Sequence, residues 1–261
     1  MKAIIVAAGR GRRLGSETEA LPKCMVEVGG RPILHWQLDA LAAAGVDDVV
    51  VVRGYRGDCI APAPGSGLRL RFVENPDWAE NNILTSLFYA EHEMDGGFLF
   101  SYSDIVFAPD HARRLATAPG AVALVVDRRW RDAYDGRTLH PVSVAELARV
   151  DGDGENARIT RVGKRLVAAE EAVGEFIGLA RFSPEGAAAL RQVWREARAR
   201  GLATPFGAAA SLAQAYLTDG LNALTERGVA LASLYIDGRW REIDTGQDLA
   251  RAQAVVPTWG W

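Results

Sequence analysis

The stretch KAIIVAAGRGRRLGSETEALPKCMVEVGGRPIL, residues 2–34, carries the strongest indication of the fold. Its apolar run Lys2–Ala7 leads into Gly9 and predicts a buried parallel strand. In open α/β sheets, ligands bind beyond the carboxyl ends of such strands. Glycines there let backbone N–H groups approach phosphate oxygens, and the arginines and lysine that follow add charge-assisted hydrogen bonds. The stretch therefore predicts a phosphate-binding loop, with a plain tight turn and solvated arginines as the alternative.

Two better-known phosphate loops do not fit these residues. The dinucleotide fingerprint needs a third glycine within residues 12–14 and an acidic residue at the end of the second strand, where Arg53 stands. A P-loop needs a glycine five residues before Gly163-Lys164, and none is present. Any phosphate bound by this loop is therefore held by another architecture.

Strand-like and helix-like segments alternate along the first half of the chain. Beyond the first strand, the pattern predicts strands at 47–52, 69–73, 97–102 and 121–126 and helices at 31–44 and about 83–94. Such alternation is typical of the α/β class, with a mostly parallel, Rossmann-like three-layer sheet. Residues 127–182 break the pattern with short alternating segments, and we expect a small antiparallel insertion there that covers the open side of the sheet. The predicted elements that follow are a helix from Pro184, a helix over 206–227, a strand over 230–236 and a helix after Thr245.

Composition limits the class of protein. Of the 261 residues, 49% are hydrophobic and 24% charged, which suffices for one large core, and no linker divides the chain. The net charge of −3 offers no basic excess for nucleic acid. The two cysteines, Cys24 and Cys59, have no metal-binding spacing and fit a reducing compartment. No apolar run is long enough to cross a membrane, so we expect a cytoplasmic protein with no membrane partner.

Two distant aspartates follow predicted sheet elements. Asp104 comes after the apolar strand that ends at Tyr102, and Asp244 precedes the last predicted helix. Mg²⁺ is a hard cation that takes one or two protein carboxylates together with phosphate oxygens. Each aspartate alone could be a turn or capping residue. Beside a phosphate-binding loop, both are candidates for the carboxylate ligands of a Mg²⁺ ion.

Residues 7–34 resemble the N-terminal signature of the nucleotidyltransferase superfamily that includes the sugar-1-phosphate nucleotidylyltransferases. The pattern G-x-G-x-R, P-K and G-x-P-x-L is met by Gly9, Gly11, Arg13, Pro22, Lys23, Gly30, Pro32 and Leu34. The resemblance implies a single nucleotide-diphospho-sugar transferase-like domain over residues 1–261. It also implies that the backbone of four loop residues meets the nucleotide, namely Ala7, Ala8, Gly9 and Gly11.

The same resemblance implies how the triphosphate is held. Arg13 would hold the β- and γ-phosphates and Lys23 would contact the α-phosphate. The superfamily binds its metal through one aspartate after the fourth strand and another late in the chain, which here implies Asp104 and Asp244. An acceptor oxygen that is already anionic would attack the α-phosphorus in line, so alignment and charge neutralisation suffice and no histidine is assigned as a base.

Later segments resemble the phosphocholine and phosphonate cytidylyltransferase branch. The matching segments are 74–76, 81–87, 130–134, Arg137, 140–141, Glu146, 163–164, 174–179, 215–219 and 238–245. The resemblance implies that Asn82 and Ser86 help to seat the nucleotide. It further implies that Lys164 reaches the phosphoryl group of the acceptor. The acceptor pocket would be lined by Tyr134, Glu175 and Trp240, on the side covered by the insertion.

The predicted function is transfer of CMP from CTP to a small phosphonate or phosphocholine-like acceptor, with release of pyrophosphate. The choice of CTP rests on the resemblance alone. A carboxylate with aromatic faces suits an ammonium group, whereas four crowded arginines point to a more anionic acceptor: Arg128, Arg129, Arg131 and Arg137. Two alternatives remain open, a sugar-1-phosphate nucleotidylyltransferase and a catalytically silent nucleotide-binding regulator. A homodimer is possible.

Overall fold

The apolar run at the start of the chain forms the centre of a parallel group of strands. Strand β1 (Lys2–Ala7) lies between β4 (Asp48–Arg53) and β6 (Phe98–Tyr102) and is parallel to both. Strand β5 (Arg69–Glu74) continues the group on the outer side of β4. These positions come from a computed structural model, which describes residues 1–63, 67–152 and 157–261. The parallel strands predicted from the sequence are present.

The other half of the sheet is mixed. Strand β11 (Gly174–Phe182) lies antiparallel between β6 and β8 (Val122–Asp127). Beyond β8 come β12 (Leu231–Ile236), parallel to β8, and then β10 (Arg158–Lys164) and β9 (Glu146–Asp151), both antiparallel to their neighbours. The strand order is β5-β4-β1-β6-β11-β8-β12-β10-β9, and β9 also pairs with the start of β11.

The segment predicted as an insertion is antiparallel, but its strands belong to the main sheet and do not lie across its open side. Strand β11 even occupies a central position, and eight of its nine residues are buried. A continuous buried run of this kind suits a strand that is covered on both faces. Residues 153–156, inside the predicted insertion, lie outside the described residues.

Helices cover both faces of the sheet and complete the predicted three layers. Helices α1 (Ile33–Ala43) and α3 (Pro109–Ala116) pack together on one face. On the other face lie α2 (Ile83–Phe88), α5 (Pro184–Ala199) and α6 (Leu217–Glu226). None of the described helices is long and apolar enough to cross a membrane.

The remaining elements surround the carboxyl edge of the sheet. A two-stranded ribbon pairs β2 (Glu27–Val28) with β3 (Arg31–Pro32), and a second pairs β7 (Ile105–Phe107) with β13 (Trp240–Glu242). The two α-helices not yet described are α4 (Trp130–Tyr134) and α7 (Gly246–Val255). Buried apolar residues from both ribbons and α7 form a separate small core that also holds Leu14 of the glycine loop.

Three details differ from the sequence-based prediction. The helix predicted over 206–227 begins only at Leu217, because the chain before it folds back onto the helix N-terminus. There Gly207 adopts φ +57°, and a Cβ on it would lie 2.6 Å from a carboxylate oxygen of Asp219. The helix predicted to about Met94 ends at Phe88, followed by a 3₁₀ turn at Glu91–Glu93. Helix α3 was not predicted, although its buried residues Ala112, Leu115 and Ala116 recur at helical spacing, because eight residues are too few for that period to be recognised.

Candidate active site

A cleft of about 350 Å³ opens at the carboxyl edge of the sheet, beside the ends of β1 and β6. All of the predicted site residues line this cleft except Ala7 and Tyr134. Ala7 is buried within β1, and Tyr134 lies behind the cleft wall. The predicted loop, aspartate and acceptor residues are therefore brought to one place, although they are spread over more than 230 positions of the chain.

The centre of the cleft is an ion-paired cluster around Lys23. Its ammonium nitrogen lies 2.7 Å from Oδ2 of Asp104 and also contacts Oδ1 of Asp244. The guanidinium of Arg13 lies 2.6 Å from Oδ2 of Asp244. The side chain of Lys23 is only 9% exposed, whereas that of Arg13 is 54% exposed. Lys23 is thus not a solvated loop residue, because the two carboxylates draw it inward.

The glycine loop takes a shape that only a glycine at position 11 allows easily. Gly11 has φ +70°, and a Cβ on it would lie 3.0 Å from Cβ of Lys23. The hydroxyl of Thr18 donates a hydrogen bond to the carbonyl of Gly11 at 3.0 Å. Leu14 is buried in the small core of the two ribbons. The loop is therefore held at both ends and presents Lys23 to the cleft.

Pairing of β7 with β13 explains how two aspartates 140 residues apart in sequence come together. The backbone N–H of Ile243 donates to the carbonyl of Asp104 at 2.8 Å. Thr245 then caps α7, and Asp248 accepts hydrogen bonds from the backbone N–H groups of Asp244 and Thr245. The capping box holds Asp244 at the start of the helix, which begins after Thr245 as the sequence predicted.

Electrostatic interactions favour the ionised forms of Lys23 and Asp244. Burial alone would lower the pKa of Lys23, but the carboxylates of Asp104 and Asp244 outweigh it and raise the pKa above its ordinary value. Burial would likewise raise the pKa of Asp244, but Lys23 and His140 lower it overall. Lys23 and Asp244 therefore stay in their charged forms at neutral pH.

The two aspartates fit a divalent cation. The other oxygen of Asp104, Oδ1, is buried and has no hydrogen-bond partner among the described residues. Carboxylate oxygens are the ligands that hard cations such as Mg²⁺ prefer, and one or two of them suffice beside phosphate oxygens. Asp104 and Asp244 would hold such an ion.

The nucleotide side of the cleft contains a buried polar network. The amide nitrogen of Asn75 donates to Oδ1 of Asn81 and to Oγ of Ser86, each at 2.9 Å. Asn82 caps α2, since its side-chain oxygen accepts from the N–H of Ile83 at 2.8 Å. Both Asn82 and Ser86 line the cleft as predicted, and each also has this structural role. Asn75 and Asn81 were missed, although they lie in the quoted motif segments.

An aromatic surface adjoins this network and was not predicted. Trp78 lines the cleft near Gly9, and the ring of Tyr55 packs edge-on against it at a centroid distance of 5.3 Å. A Cβ on Gly54 would lie 2.6 Å from Cβ of Trp78, so only glycine permits this approach. The sequence does not indicate this contact, because it joins a loop after β4 to a loop after β5.

The acceptor side contains a buried carboxyl group. The hydroxyl of Tyr134 donates to Oε1 of Glu175 at 2.7 Å, and Oε2 of Glu175 is buried without a hydrogen-bond partner among the described residues. Burial raises the pKa of Glu175 to about 8. Trp240 lines the cleft nearby, with its indole N–H bonded to Asp127 at 2.7 Å. Tyr134 thus supports Glu175 from behind, whereas Glu175 and Trp240 face the cleft.

Lys164 lies on the same side among groups that the prediction did not single out. Its ammonium nitrogen is 3.8 Å from Oε1 of Glu146 and 4.4 Å from the ring centroid of Tyr216. The hydroxyl of Tyr102 donates to Oε2 of Glu146 at 3.0 Å. Burial tends to lower the pKa of Lys164, but Glu146 raises it overall, while burial raises the pKa of Glu146. Lys164 therefore stays charged beside the acceptor side.

A further layer of buried charge supports Asp244. Nδ1 of His140 lies 3.2 Å from Oδ2 of Asp244, and Nε2 lies 3.5 Å from Oε2 of Glu242. Arg137 bonds Asp248 at 2.6 Å and Glu242 at 3.2 Å. His140 is only 2% exposed and does not line the cleft. Its role was not predicted, because the contact depends on a loop more than a hundred residues from Asp244.

The arginine cluster that suggested an anionic acceptor does not reach the cleft. Arg128 pairs with Asp237 and Arg129 pairs with Asp132 at the exposed surface. Arg131 donates to the backbone carbonyl of Ala169. The fourth member, Arg137, is the buried partner of Asp248. These arginines therefore do not indicate a more anionic acceptor, since all four are engaged by the protein itself and none lines the cleft.

The chain resembles known proteins in both sequence and fold. Residues 3–227 match the model of the MobA-like NTP transferase domain. The chain is 31% identical over 255 residues to the CTP:phosphoglutamine cytidylyltransferase of Campylobacter jejuni, covering 95% of this chain and 98% of that protein. It is 34% identical over 157 residues to the CMP-5'-(3-aminopropyl)phosphonate synthase of Streptomyces rubellomurinus, covering 59% of this chain and 23% of that protein.

Among solved structures, the fold resembles the CTP:phosphocholine cytidylyltransferase of Streptococcus pneumoniae. The TM-score is 0.71 at 19% identity, with 98% of each chain covered. This agrees with the predicted nucleotide-diphospho-sugar transferase-like fold. Nucleotidyltransferases of this kind generally use a divalent cation. By its family match and its full-length relative, the chain belongs to the MobA-like NTP transferase family and is a nucleotidyltransferase.

Proposed function

We propose that this enzyme transfers CMP from CTP to a small phosphorylated or phosphonate acceptor that carries an ammonium group. The observation that carries the proposal is the pairing of two unlike subsites in one cleft. The charged cluster of Lys23, Arg13 and the two aspartates suits a triphosphate with its metal. The buried, partnerless oxygen of Glu175 suits a cationic head group on the acceptor side.

Lys23 would neutralise charge on the α-phosphate as the acceptor oxygen attacks it. Arg13 is more exposed and would hold the β- and γ-phosphates, which leave as pyrophosphate. The bond that forms joins the acceptor oxygen to the α-phosphorus, and the bond that breaks joins the α-phosphorus to the bridging oxygen of the pyrophosphate. The acceptor oxygen is anionic near neutral pH, so alignment and charge stabilisation carry the rate. A Mg²⁺ ion on Asp104 and Asp244 would add neutralisation of the phosphate charge.

Lys164 would bind the phosphoryl or phosphonate group of the acceptor. It lies at the boundary between the central cluster and the acceptor side, where three acidic residues line the cleft: Glu146, Glu175 and Glu242. Three carboxyl groups against one lysine favour a cationic head group over the neutral hydroxyls of a sugar. Trp240 adds an aromatic surface that suits an ammonium.

The relatives support the nature of the donor and the acceptor. One is named for phosphoglutamine and CTP, and another for an aminopropylphosphonate. Both names describe a CMP donor or product and an acceptor with a nitrogen-bearing group. The choice of CTP for this chain rests on that similarity.

A two-way screen tests the proposal. CTP, UTP, GTP and dTTP would each be combined with phosphocholine, 2-aminoethylphosphonate, a hydroxyalkylphosphonate and glucose-1-phosphate, and pyrophosphate release measured. We expect turnover with CTP and the amine-bearing acceptors. Efficient turnover of glucose-1-phosphate with UTP or dTTP, and none of the amine acceptors with CTP, would favour a sugar-1-phosphate nucleotidylyltransferase. No pyrophosphate release from any pair would favour a silent regulator.

A further inference from the structure

A second groove continues from the cleft on the far side of Lys164. It has a volume of about 680 Å³ and shares five lining residues with the cleft: Arg13, Asn82, Val144, Lys164 and Tyr216. Its other walls include Arg165 and Leu166, from the turn after β10, and the small residues Ala208–Ala210. An acceptor whose phosphoryl group contacts Lys164 therefore has continuous space beyond the cleft.

The groove and the acceptor side of the cleft differ in charge. The described residues that line the groove include three cationic side chains, Arg13, Lys164 and Arg165, and one acidic residue, Asp219. Both carboxylate oxygens of Asp219 accept hydrogen bonds from backbone N–H groups, one from Ala208 at 2.8 Å and one from Tyr216 at 2.9 Å. The acceptor side of the cleft instead contains the three glutamates around Lys164. Lys164 thus separates an acidic subsite from a basic one.

Among the cationic side chains of the groove, Arg165 is the one available to bind a ligand. It forms no ion pair or hydrogen bond with any of the residues that the structure describes. Its backbone adopts φ +60°, a left-handed conformation that is unfavourable for a residue with a side chain. Arg161, on the strand just before it, is held by Glu226 at 3.6 Å. The free guanidinium of Arg165 can bind a carboxylate through two parallel hydrogen bonds.

We propose that the acceptor is a zwitterion of the amino-acid type, which carries a carboxylate in addition to its ammonium and phosphoryl groups. The phosphoryl group contacts Lys164, the ammonium meets Glu175, and the carboxylate enters the groove and pairs with Arg165. The inference rests on the proposed function, and it narrows the acceptor from any small amine to one with a second anionic group.

Matched acceptors that differ only in a carboxylate test this directly. O-phosphoserine would be compared with O-phosphoethanolamine, and 2-amino-4-phosphonobutyrate with 3-aminopropylphosphonate. With CTP, we expect kcat/KM for the better carboxylate-bearing member to exceed that of its partner by up to about fivefold, the usual size of an ion pair that is exposed to solvent. Arg165→Gln should reduce this ratio to near one by slowing only the carboxylate-bearing acceptor. Arg161→Gln is the matched control and should leave the ratio unchanged.

Two further measurements separate the outcomes. Calorimetric binding of each acceptor pair shows the carboxylate effect even for a compound that is not turned over. The KM for pyrophosphate in the reverse reaction shows whether the groove instead serves the leaving group. Equal binding and turnover within both pairs, or an Arg165→Gln variant that changes only the pyrophosphate KM, would overturn the inference while leaving the proposed function intact. Failure of every acceptor to react with CTP would instead contradict the proposed function.

Discussion

Glu175 should control how acceptor binding depends on pH. Burial raises the pKa of its carboxyl group to about 8, from 4.5 for an unperturbed glutamate. At pH 7 the protonated form is therefore about ten times as populated as the ionised form. Ionising the group at this pH costs about 1.4 kcal/mol of free energy. An acceptor ammonium needs the ionised form, so its binding at pH 7 must release a proton. We expect the acceptor KM to fall roughly tenfold between pH 7 and pH 9.

The variant Glu175→Gln isolates this effect, because glutamine has nearly the same shape and no proton to lose. We expect it to remove the pH dependence and to raise the acceptor KM, most strongly at pH 9, while the KM for CTP stays nearly unchanged. Steady-state kinetics at pH 7, 8 and 9 measure both constants. A wild-type KM that stays constant over this range, or a variant that keeps the wild-type dependence, would refute the assignment of Glu175 to the ammonium.

The same group makes a stability prediction with a defined sign. A carboxyl whose pKa is raised on folding stabilises the protein fully below pH 4.5, and this contribution is lost as the pH rises through about 8. Over that interval the loss amounts to about 5 kcal/mol for a shift of this size. The melting temperature of Glu175→Gln, taken relative to that of wild type, should therefore increase as the pH rises from 5 to 9. A constant difference in melting temperature would contradict the burial of an uncompensated carboxyl.

Three other predictions concern the central cluster and the sheet. Asp104→Asn should lower kcat on the order of a hundredfold and weaken Mn²⁺ binding measured by electron paramagnetic resonance, and unchanged metal affinity would remove Asp104 from the metal site. Arg13→Ala should also lose on the order of a hundredfold in kcat, yet its melting temperature should change by no more than about 2 °C because the side chain is half exposed. A lower melting temperature with unchanged kcat would return Arg13 to a structural role. Gly178→Ala should cost about 2–4 kcal/mol in urea unfolding, since Gly178 has φ +83° and an added methyl would overlap the ring of Tyr102; wild-type stability would contradict this packing.

The parallel half of the sheet could be predicted from the sequence because each of its strands is encoded locally. β1 and β4 are continuous apolar runs with turn residues beyond them, and such runs fit only positions covered on both faces. The position of β11 could not be predicted in the same way. Its apolar run indicates a buried strand, but its insertion between β6 and β8 depends on pairings with residues 48 or more positions earlier in the chain.

The candidate site shows the same division. The glycine loop, Lys23 and the two aspartates were predicted because their residue types follow strand ends in a recognisable order. Of the layer behind them, Tyr134 was predicted beside Glu175 through the family resemblance, but as a residue of the pocket wall and not as the hydrogen-bond donor behind it. The contact of His140 with Asp244 was not predicted. It forms only after the loop beyond β8 has folded against α7, and a histidine before a proline carries no sign of this partner in an isolated sequence.

The arginines near residue 130 show why local charge density is a poor guide to the field in a cleft. Counted along the chain, they suggest a strongly positive acceptor site. In the folded protein, Asp237, Asp132 and Asp248 lie beside three of them, and a backbone carbonyl accepts from the fourth. Paired charges at a solvated surface contribute little field at a distance, because water and salt screen them. The electrostatic character of the acceptor side is therefore set by the carboxyl groups that line it. Because burial disfavours their ionised forms, a bound cation is the partner that stabilises those forms.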